Sequence, residues 1–366
     1  HIEPYEKEYR VRFRIDGMLH LAGSIPKEYY ESVLNRIKIQ SNLRTDEHFA
    51  PQDGAIRFIS GTIVVDLRVS IIPALDEEKV VIRVLAEYVK GLTFSDLGLS
   101  EKHIAMLTVA SKKPFGMIIV SGPTGSGKTT TLYSALNDIK TVHRNLITVE
   151  DPIEYHIDAV SQVHANSKVG MTFARALRAI LRQDPDVIMI GEIRDAETAD
   201  IAVKSALTGH LVFSTVNAND APGTLTRLID MGVPRYLVGS AMSMVMAQRL
   251  VRRICDRCKE SYTPESEALE AMGEDAALLR GHKLMRGRGC MACKQTGYSG
   301  RTALFEVLEL SRPVRRMVLD GLNEDEIKRR AVSEGFVTLR KAGMRKVLDG
   351  VTSLDEIRNA TLGDSD

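Results

Sequence analysis

The stretch MIIVSGPTGSGKTTT, residues 117–131, constrains the fold more than any other part of this chain. A short apolar run leads into a segment that fits G-x-x-x-x-G-K-[ST], and a helix-compatible segment follows. The glycines let successive backbone N–H groups turn inward on a phosphate, and a helix that begins near Gly127 adds the positive end of its dipole. The sequence therefore predicts a strand, a phosphate-binding loop and a helix, with a plain glycine-rich turn as the less favoured alternative.

Within this loop, the motif assigns separate tasks to neighbouring side chains. Lys128 is expected to reach the β- and γ-phosphates of ATP, and the Thr129 hydroxyl is expected to ligate Mg²⁺. The predicted nucleotide-binding residues are Gly122, Pro123, Thr124, Gly125, Ser126, Gly127, Lys128, Thr129 and Thr130. ATP and Mg²⁺ are thus predicted cofactors.

Composition excludes several other classes of protein. A length of 366 residues is typical of two or three domains. With 49 basic against 48 acidic residues, no global field attracts a polyanion, so general nucleic-acid binding is disfavoured. The uncharged runs are too short to span a bilayer and no signal peptide opens the chain, which predicts a soluble cytoplasmic protein. The chain opens at His1 inside a strand-like pattern, so we expect an N-terminal region to be missing.

All four cysteines fall in two C-x-x-C pairs, Cys255 with Cys258 and Cys290 with Cys293. In a reducing compartment this usage favours metal binding over a disulfide. Two such pairs present four thiolates tetrahedrally to one Zn²⁺ and leave no open coordination position for catalysis. We therefore predict a structural zinc site, with redox-active thiols as the alternative.

Residues 1–88 read as a small α/β domain with alternating strands, and residues 89–99 read as a linker. Arg68 and Arg83 lie on two of these predicted strands. Because Arg83 shares its face with apolar residues, it needs an anionic partner. An internal salt bridge or a solvated sheet edge explains both arginines as well as a functional role does at this point.

Residues 100–250 alternate strands and helices as a parallel α/β sheet does. Functional residues in such sheets gather where the strands end, and here the acidic stretch 150–154 follows one strand while Glu192 follows another. An acid after an apolar strand is the Walker B arrangement, so Glu192 is expected to hold Mg²⁺ together with Thr129, although the usual aspartate position is Gly191. The alternatives are a helix N-terminal charge for Glu192 and turn capping for the stretch 150–154.

Three further expectations concern residues 239–366. Residues 239–250 read as an amphipathic helix whose methionines, Met242, Met244 and Met246, are expected to pack in the core. Residues 251–300 form the predicted tetracysteine element, and residues 301–366 form a predicted C-terminal helical region.

With the phosphate loop, EDPIEY, LRQDPDVIMIGEIRDAETADIA, TGHLVFST and the paired cysteines together, the chain resembles the secretion ATPase superfamily. Within it, the match is to the zinc-containing motors of type II secretion and type IV pilus extension, since retraction motors generally lack the four cysteines. The resemblance covers nearly the whole chain. It implies an α/β fold class: a RecA-like P-loop ATPase core, a smaller PAS-like N-terminal α/β domain and a tetracysteine zinc element.

The resemblance also implies roles for individual residues. Arg68 and Arg83 match arginines that meet nucleotide phosphates near a subunit boundary, and Glu154 matches the general base or water-orienting glutamate. His210 matches the first histidine of the family's histidine box. The expected catalytic residues are Lys128, Arg68, Arg83, Glu154, Glu192 and His210.

One departure from the family pattern stands in the histidine box. Where relatives read T-L-H-T-N, this chain reads TVNAN, with Asn217 at the position of the second histidine. Asparagine hydrogen-bonds a phosphate oxygen but carries neither a proton nor a charge. Phosphate sensing through this position is therefore in question.

The function implied by the resemblance is that of a homohexameric Mg-ATPase that drives pilus or pseudopilus assembly. It would work in the cytoplasm at the inner face of the bacterial inner membrane. Its expected partners are an inner-membrane platform protein and the cytoplasmic domain of a membrane-anchored secretion or pilus protein, with membrane association only through these partners. A RecA-like nucleic-acid translocase and a nucleotide-binding scaffold with little turnover are the alternatives.

Overall fold

The computed structural model describes residues 1–61, 63–75, 77–85, 91–270, 272 and 277–361. Its contacts divide the chain into two compact units, His1–Lys90 and Gly91–Asp366. We call them the N-terminal unit and the C-terminal unit. Residues 89 and 90 of the predicted linker and residues 362–366 of the predicted helical region lie outside the described residues.

In the described part of the N-terminal unit, six strands form one antiparallel sheet in the order β3-β2-β1-β6-β5-β4. The strands are β1 Ile2–Pro4, β2 Glu8–Ile15, β3 Met18–Pro26, β4 Gln52–Ser60, β5 Ile63–Ala74 and β6 Glu77–Leu85. Helix α1, Lys27–Gln40, packs on one face of this sheet, where the Tyr30 ring stacks on Tyr9. The α1 residue Lys38 is fully buried and pairs with Glu78 at 2.8 Å, which satisfies a charge that burial would otherwise make costly.

The C-terminal unit is built on a second sheet, seven-stranded in the described residues, with the order β15-β12-β7-β11-β10-β8-β9. The strands of this unit are β7 Gly116–Ser121, β8 Leu146–Glu150, β9 Ser161–His164, β10 Val187–Ile190, β11 Leu211–Val216, β12 Met242–Ile254, β13 Lys259–Tyr262, β14 Leu284–Gly287 and β15 Tyr298–Glu309. All neighbours in the large sheet run parallel except β15, which is antiparallel to β12. Strands β13 and β14 form a separate antiparallel ribbon.

Helices cover both faces of the large sheet. They are α2 Phe94–Leu97, α3 Glu101–Ser111, α4 Lys128–Ile139, α5 Phe173–Ile180, α6 Ala196–Leu207, α7 Ala221–Asp230, α8 Arg235–Ala241, α9 Ser266–Glu270, α10 Arg312–Asp320, α11 Glu324–Ser333, α12 Leu339–Leu348 and α13 Leu354–Ala360. Strand β7 sends Met117 and Ile119 into one core and Ile118 and Val120 into the other. A strand buried on both faces has no polar face, which explains its uninterrupted apolar run.

The predicted methionine-rich helix over residues 239–250 is wrong. Helix α8 ends at Ala241, and β12 starts at Met242 and continues past residue 250. Side chains that alternate along the chain suit the two faces of a strand, and this is the spacing of Met242, Met244 and Met246. All three are buried, so the prediction that they pack in the core is confirmed.

Two of the predicted boundaries also differ from the structure. Thr93 caps the short helix α2, and Phe94 and Leu99 are buried in the C-terminal unit, so the end of the predicted linker is packed structure. Residues 301–309 of the predicted helical region belong to β15. Their apolar side chains are buried on both sides of the sheet, which removes the periodicity that would have marked a strand.

Among the described residues, no helix is both long and apolar enough to cross a membrane.

Candidate nucleotide site and cysteine cluster

The phosphate loop connects the end of β7 to the start of α4 and packs tightly against β12. Gly122 has φ +142° and Gly127 has φ +90°, values that residues with a Cβ rarely adopt. A Cβ on Gly122 would lie 2.4 Å from the carbonyl oxygen of Gln248, and one on Gly127 would lie 2.9 Å from the Gln248 Nε2. Glycine is therefore required at both positions by conformation, and at Gly122 also by space.

Lys128 closes over this loop. Its Nζ donates to the carbonyl oxygens of Gly122 at 2.8 Å and Pro123 at 2.9 Å. Burial lowers the pKa of Lys128; the Glu192 carboxylate opposes this shift, and the Arg249 guanidinium adds to it. The charges of Glu192 and Arg249 therefore both act on the Lys128 ammonium.

Ser126 supplies an independent sign that the loop fits a phosphate. Its Oγ is buried and has no hydrogen-bond partner among the described residues. A buried hydroxyl without a partner is costly, and a phosphate oxygen held by the backbone amides of the loop would accept a hydrogen bond from it. The residues present therefore fit a bound nucleotide phosphate.

Glu192 lies just beyond the end of β10, in a loop fixed to β11. Thr215 Oγ1 donates to the Gly191 carbonyl oxygen at 2.7 Å. A Cβ on Gly191 would lie 3.3 Å from Glu150 Cα, tighter than most Cβ contacts, so the close approach of β8 favours glycine at 191 and the acid follows at 192. Glu192 pairs with Arg194 at 2.6 Å.

The alternative role considered for Glu192, a negative charge at the N-terminus of the following helix, belongs to Asp195. Helix α6 begins at Ala196, and its N-cap is Asp195, whose Oδ1 accepts from Thr198 N at 2.8 Å. Glu192 therefore does not cap α6, and its charge acts on the Lys128 ammonium.

The acidic stretch 150–154 divides into a buried and a more accessible part. Glu150 is buried and accepts hydrogen bonds from the Tyr133 hydroxyl, from Thr148 Oγ1 at 2.6 Å and from Gln162 Nε2 at 3.2 Å. Its carboxylate is therefore fully engaged in holding the fold. Glu154 is half-buried, and its backbone N–H donates to the Tyr133 hydroxyl at 3.3 Å.

Sequence reasoning missed Tyr133 and Gln248. Tyr133 lies on α4, one turn beyond the phosphate loop, and connects that helix to Glu150 and to the loop that carries Glu154. Gln248 is buried on β12, where its Oε1 accepts from Thr131 Oγ1 at 2.8 Å. The signal available for Gln248 was a lone amide in a strand of apolar residues, since a buried amide needs partners.

His210, an expected catalytic residue, lies at the edge of the sheet opposite the phosphate loop, and its catalytic role stays a prediction. It immediately precedes β11, and its carbonyl oxygen accepts from Gly116 N at 3.2 Å, at the start of β7. The phosphate loop follows the other end of β7, about 20 Å away over six residues of strand. Asn217, in contrast, follows β11 at the phosphate-loop edge.

Arg68 and Arg83 are direct cross-strand neighbours on β5 and β6 of the N-terminal unit. Arg68 is half-buried and Arg83 is exposed. Like charges directly opposite each other destabilise a strand pair. Their contact with a nucleotide stays a prediction.

The four cysteines converge as predicted. Their Sγ atoms lie within 4.8 Å of one another, with 4.0 Å between Cys255 and Cys290, 3.9 Å between Cys258 and Cys293, and 3.7 Å between Cys290 and Cys293. Zn–S bonds of about 2.3 Å in a tetrahedron require S···S distances of about 3.8 Å, so the cluster is compatible with zinc.

The surroundings of Cys293 favour its thiolate. Burial raises the pKa of the Cys293 thiol, but hydrogen bonds from the amides of Cys290 at 3.2 Å and Gly297 at 3.3 Å, together with those from the Cys290 and Cys258 thiols, outweigh it and lower the pKa to about 6. Zinc binds the deprotonated form of cysteine, so these amides prepare the sulfur for a metal.

Comparison with known protein sequences gives a consistent result. A family model described as type II/IV secretion system protein matches residues 1–359. Type II secretion system protein E of Pseudomonas aeruginosa is 45% identical over 99% of this chain and 71% of its own length. Type IV pilus assembly ATPase PilB of Myxococcus xanthus is 43% identical over 100% of this chain and 65% of its own length. The chain thus spans about two thirds of these longer relatives.

Solved structures show the same fold at lower identity. The ATPase DotB of Yersinia pseudotuberculosis has a TM-score of 0.71 at 22% identity, covering 99% of this chain and 89% of that one. The pilus retraction motor PilT with bound ADP has a TM-score of 0.65 at 24% identity, covering 97% and 90%. The α/β fold class predicted from the sequence is confirmed.

Proposed function

This chain belongs to the type II/IV secretion system protein family, and we propose that it is an Mg-dependent ATP hydrolase that drives the assembly of a pilus or pseudopilus. The observation that carries the proposal is the phosphate loop itself. It combines glycines at positive φ with a buried Ser126 hydroxyl that has no hydrogen-bond partner among the described residues. It also contains Lys128, whose pKa is lowered by burial and raised by the charge of the Glu192 carboxylate. Backbone amides and a lysine arranged in this way bind the phosphates of a nucleoside triphosphate.

In the proposed mechanism, Lys128 changes its partners while the other residues of the C-terminal unit keep the places that the structure gives them. Lys128 leaves the carbonyl oxygens of Gly122 and Pro123 and binds the β- and γ-phosphates. Thr129 and Glu192 hold Mg²⁺, which would neutralise the charge that develops on the phosphates. Glu154 orients the attacking water, and Tyr133 fixes the loop that carries it.

The larger assembly is also a proposal. Six copies would form a ring at the cytoplasmic face of the bacterial inner membrane, with ATP contacted by the phosphate loop and by Arg68 and Arg83 of the N-terminal unit. Loss of the γ-phosphate would remove that differential contact. A platform protein and a membrane-anchored secretion or pilus protein would receive the motion. The names of the relatives support this assignment without separating secretion from pilus extension.

We further propose that the four cysteines hold a structural zinc ion. Their spacing fits a closed tetrahedral site, and such a site has no open position for chemistry. The zinc would fix the segment between β12 and β15 without acting on ATP.

The function is tested by Lys128→Ala, with Lys112→Ala on an exposed lysine as the matched control. We expect ATP hydrolysis to fall at least about a hundredfold in Lys128→Ala, because a charged phosphate contact is lost from the transition state, and to stay unchanged in the control. Hydrolysis within a few-fold of the parent would reject this site. Stimulation by added DNA that disappears at higher salt would instead favour the translocase.

A further inference from the structure

Arg249 lies beside the phosphate loop, on a strand that reaches this edge of the sheet from the C-terminal part of the chain. Strand β12 runs parallel to β7, with Ala247 opposite Ser121, the last residue before the loop. The next residue, Gln248, directs its side chain toward Thr131 of α4. Because side chains alternate along a strand, Arg249 projects from the opposite face.

On that face, Arg249 contacts the segment that follows β11. Its Nη2 donates to the Asn219 carbonyl oxygen at 2.9 Å. The following residue, Asp220, caps α7 by accepting from Gly223 N at 2.7 Å. The Arg249 guanidinium is thus hydrogen-bonded to Asn219, the residue that precedes the N-cap of α7.

The charges around Arg249 are unbalanced. The residues on either side of Arg249 touch the loop, since a Cβ on Gly122 would lie 2.4 Å from the Gln248 carbonyl oxygen and a Cβ on Gly127 would lie 3.9 Å from Leu250 Cδ1. The nearby carboxylate of Glu192 is engaged with Arg194, and among the described residues no carboxylate forms an ion pair with Arg249. A half-buried guanidinium beside the phosphate loop, with no carboxylate partner among the described residues, is stabilised by an anion that binds there.

We infer that Arg249 is a catalytic residue of its own chain, which binds the terminal phosphate of ATP beside Lys128 and reports its presence to α7 through Asn219. The inference rests on the proposed ATPase function and adds a residue to it. When the phosphate is present, the guanidinium turns from the Asn219 carbonyl oxygen to a phosphate oxygen; when it is absent, the bond to Asn219 forms again.

This assignment gives the segment after β11 a phosphate contact that needs no histidine. Asn217 stands two residues before Asn219, in the same connection between β11 and α7. The segment responds through its backbone to Arg249, so the loss of a charged side chain at position 217 does not disconnect it from the nucleotide.

The test compares Arg249→Gln and Arg249→Lys with Arg253→Gln, a control at an exposed arginine of the same strand. Binding of ADP and of a non-hydrolysable ATP analogue is measured by titration calorimetry on the full chain, together with kcat and KM for ATP. In Arg249→Gln we expect the affinity for the ATP analogue to fall about tenfold to a hundredfold, since a charge-assisted bond is lost, while ADP affinity changes less than about twofold. kcat should fall by at least about tenfold. Arg249→Lys should recover part of the analogue affinity, and Arg253→Gln should match the parent.

The inference is overturned if both nucleotides lose affinity equally, which would make Arg249 a support of the loop, or if affinity and kcat stay within twofold of the parent. A thermal transition equal to that of the parent shows that each variant is folded, and Arg249→Lys carries the test if Arg249→Gln is not. A parent chain that neither binds nor hydrolyses ATP would refute the ATPase function itself. A parent that hydrolyses ATP beside an unaltered Arg249→Gln refutes only the role of Arg249.

Discussion

Tyr133→Phe removes a single hydroxyl that both stabilises the C-terminal unit and positions the acidic loop. In the structure this hydroxyl donates to buried Glu150, which keeps two other donors, Thr148 and Gln162. The loss of one hydrogen bond to a buried carboxylate costs about 1.5–3 kcal/mol. The bonds that the hydroxyl accepts from Glu154 N at 3.3 Å and Gln162 Nε2 at 3.4 Å are long and add little to the free energy of unfolding, but the first of them holds the loop of Glu154 in place.

This cost translates into a measurable shift in melting temperature. For a domain of roughly this size, 1 kcal/mol corresponds to about 2–4 °C, so the transition of the C-terminal unit should fall by about 3–12 °C. Differential scanning calorimetry measures it, and Tyr236→Phe, at a tyrosine that is 62% exposed, is the matched control. We also expect kcat for ATP to fall while KM stays near that of the parent, because the loop with Glu154 loses an anchor but the phosphate loop does not.

A shift of less than about 1 °C in Tyr133→Phe, equal to that of the control, would refute the reasoning about stability. A lowered melting temperature with unchanged kcat would show that the hydroxyl supports the fold without positioning Glu154.

Two further predictions concern the cysteines and a half-buried acid. Cys293→Ser should reduce the zinc content measured by atomic emission to background and lower the melting temperature, because metal binding contributes folding free energy; full zinc retention would contradict the site. Burial and the neighbouring Asp220 raise the pKa of Glu324 to about 7. Its stabilising contribution is therefore complete below its ordinary pKa near 4.5 and is lost as the pH rises through 7, so melting temperatures should fall between pH 5 and 8. Glu324→Gln should reduce that fall, Glu267→Gln should not, and identical pH profiles would contradict the assignment.

Much of the candidate site could be predicted because its signals are local. The phosphate loop needs glycine at particular positions and lysine at its end, and the four cysteines stand in two short pairs, so adjacent letters carry the information. The sheet around β7 was likewise predicted from short apolar runs separated by helical segments.

What could not be predicted depends on contacts between distant parts of the chain. Thr131 and Gln248 meet across 117 positions, and nothing near either residue marks the other. An apolar run such as β12 fits a buried strand or a buried helix equally well until its neighbours in the sheet are known. His210 belongs to the same motif as the residues after β11, yet a strand of six residues separates them and places it at the opposite edge.

The position of β12 and β15 in the large sheet has a consequence for biosynthesis. The ribosome translates β7, the strand that leads into the phosphate loop, before β12. One edge of β7 pairs only with β12, which follows more than a hundred residues later in the chain. Until the ribosome releases that segment, the nascent chain carries an open hydrogen-bonding edge at its most apolar strand, which is the kind of surface that chaperones shield and that aggregates recruit. Premature termination before β12 therefore does more than remove the cysteines: it leaves the nucleotide-binding half with an edge it has no means of closing.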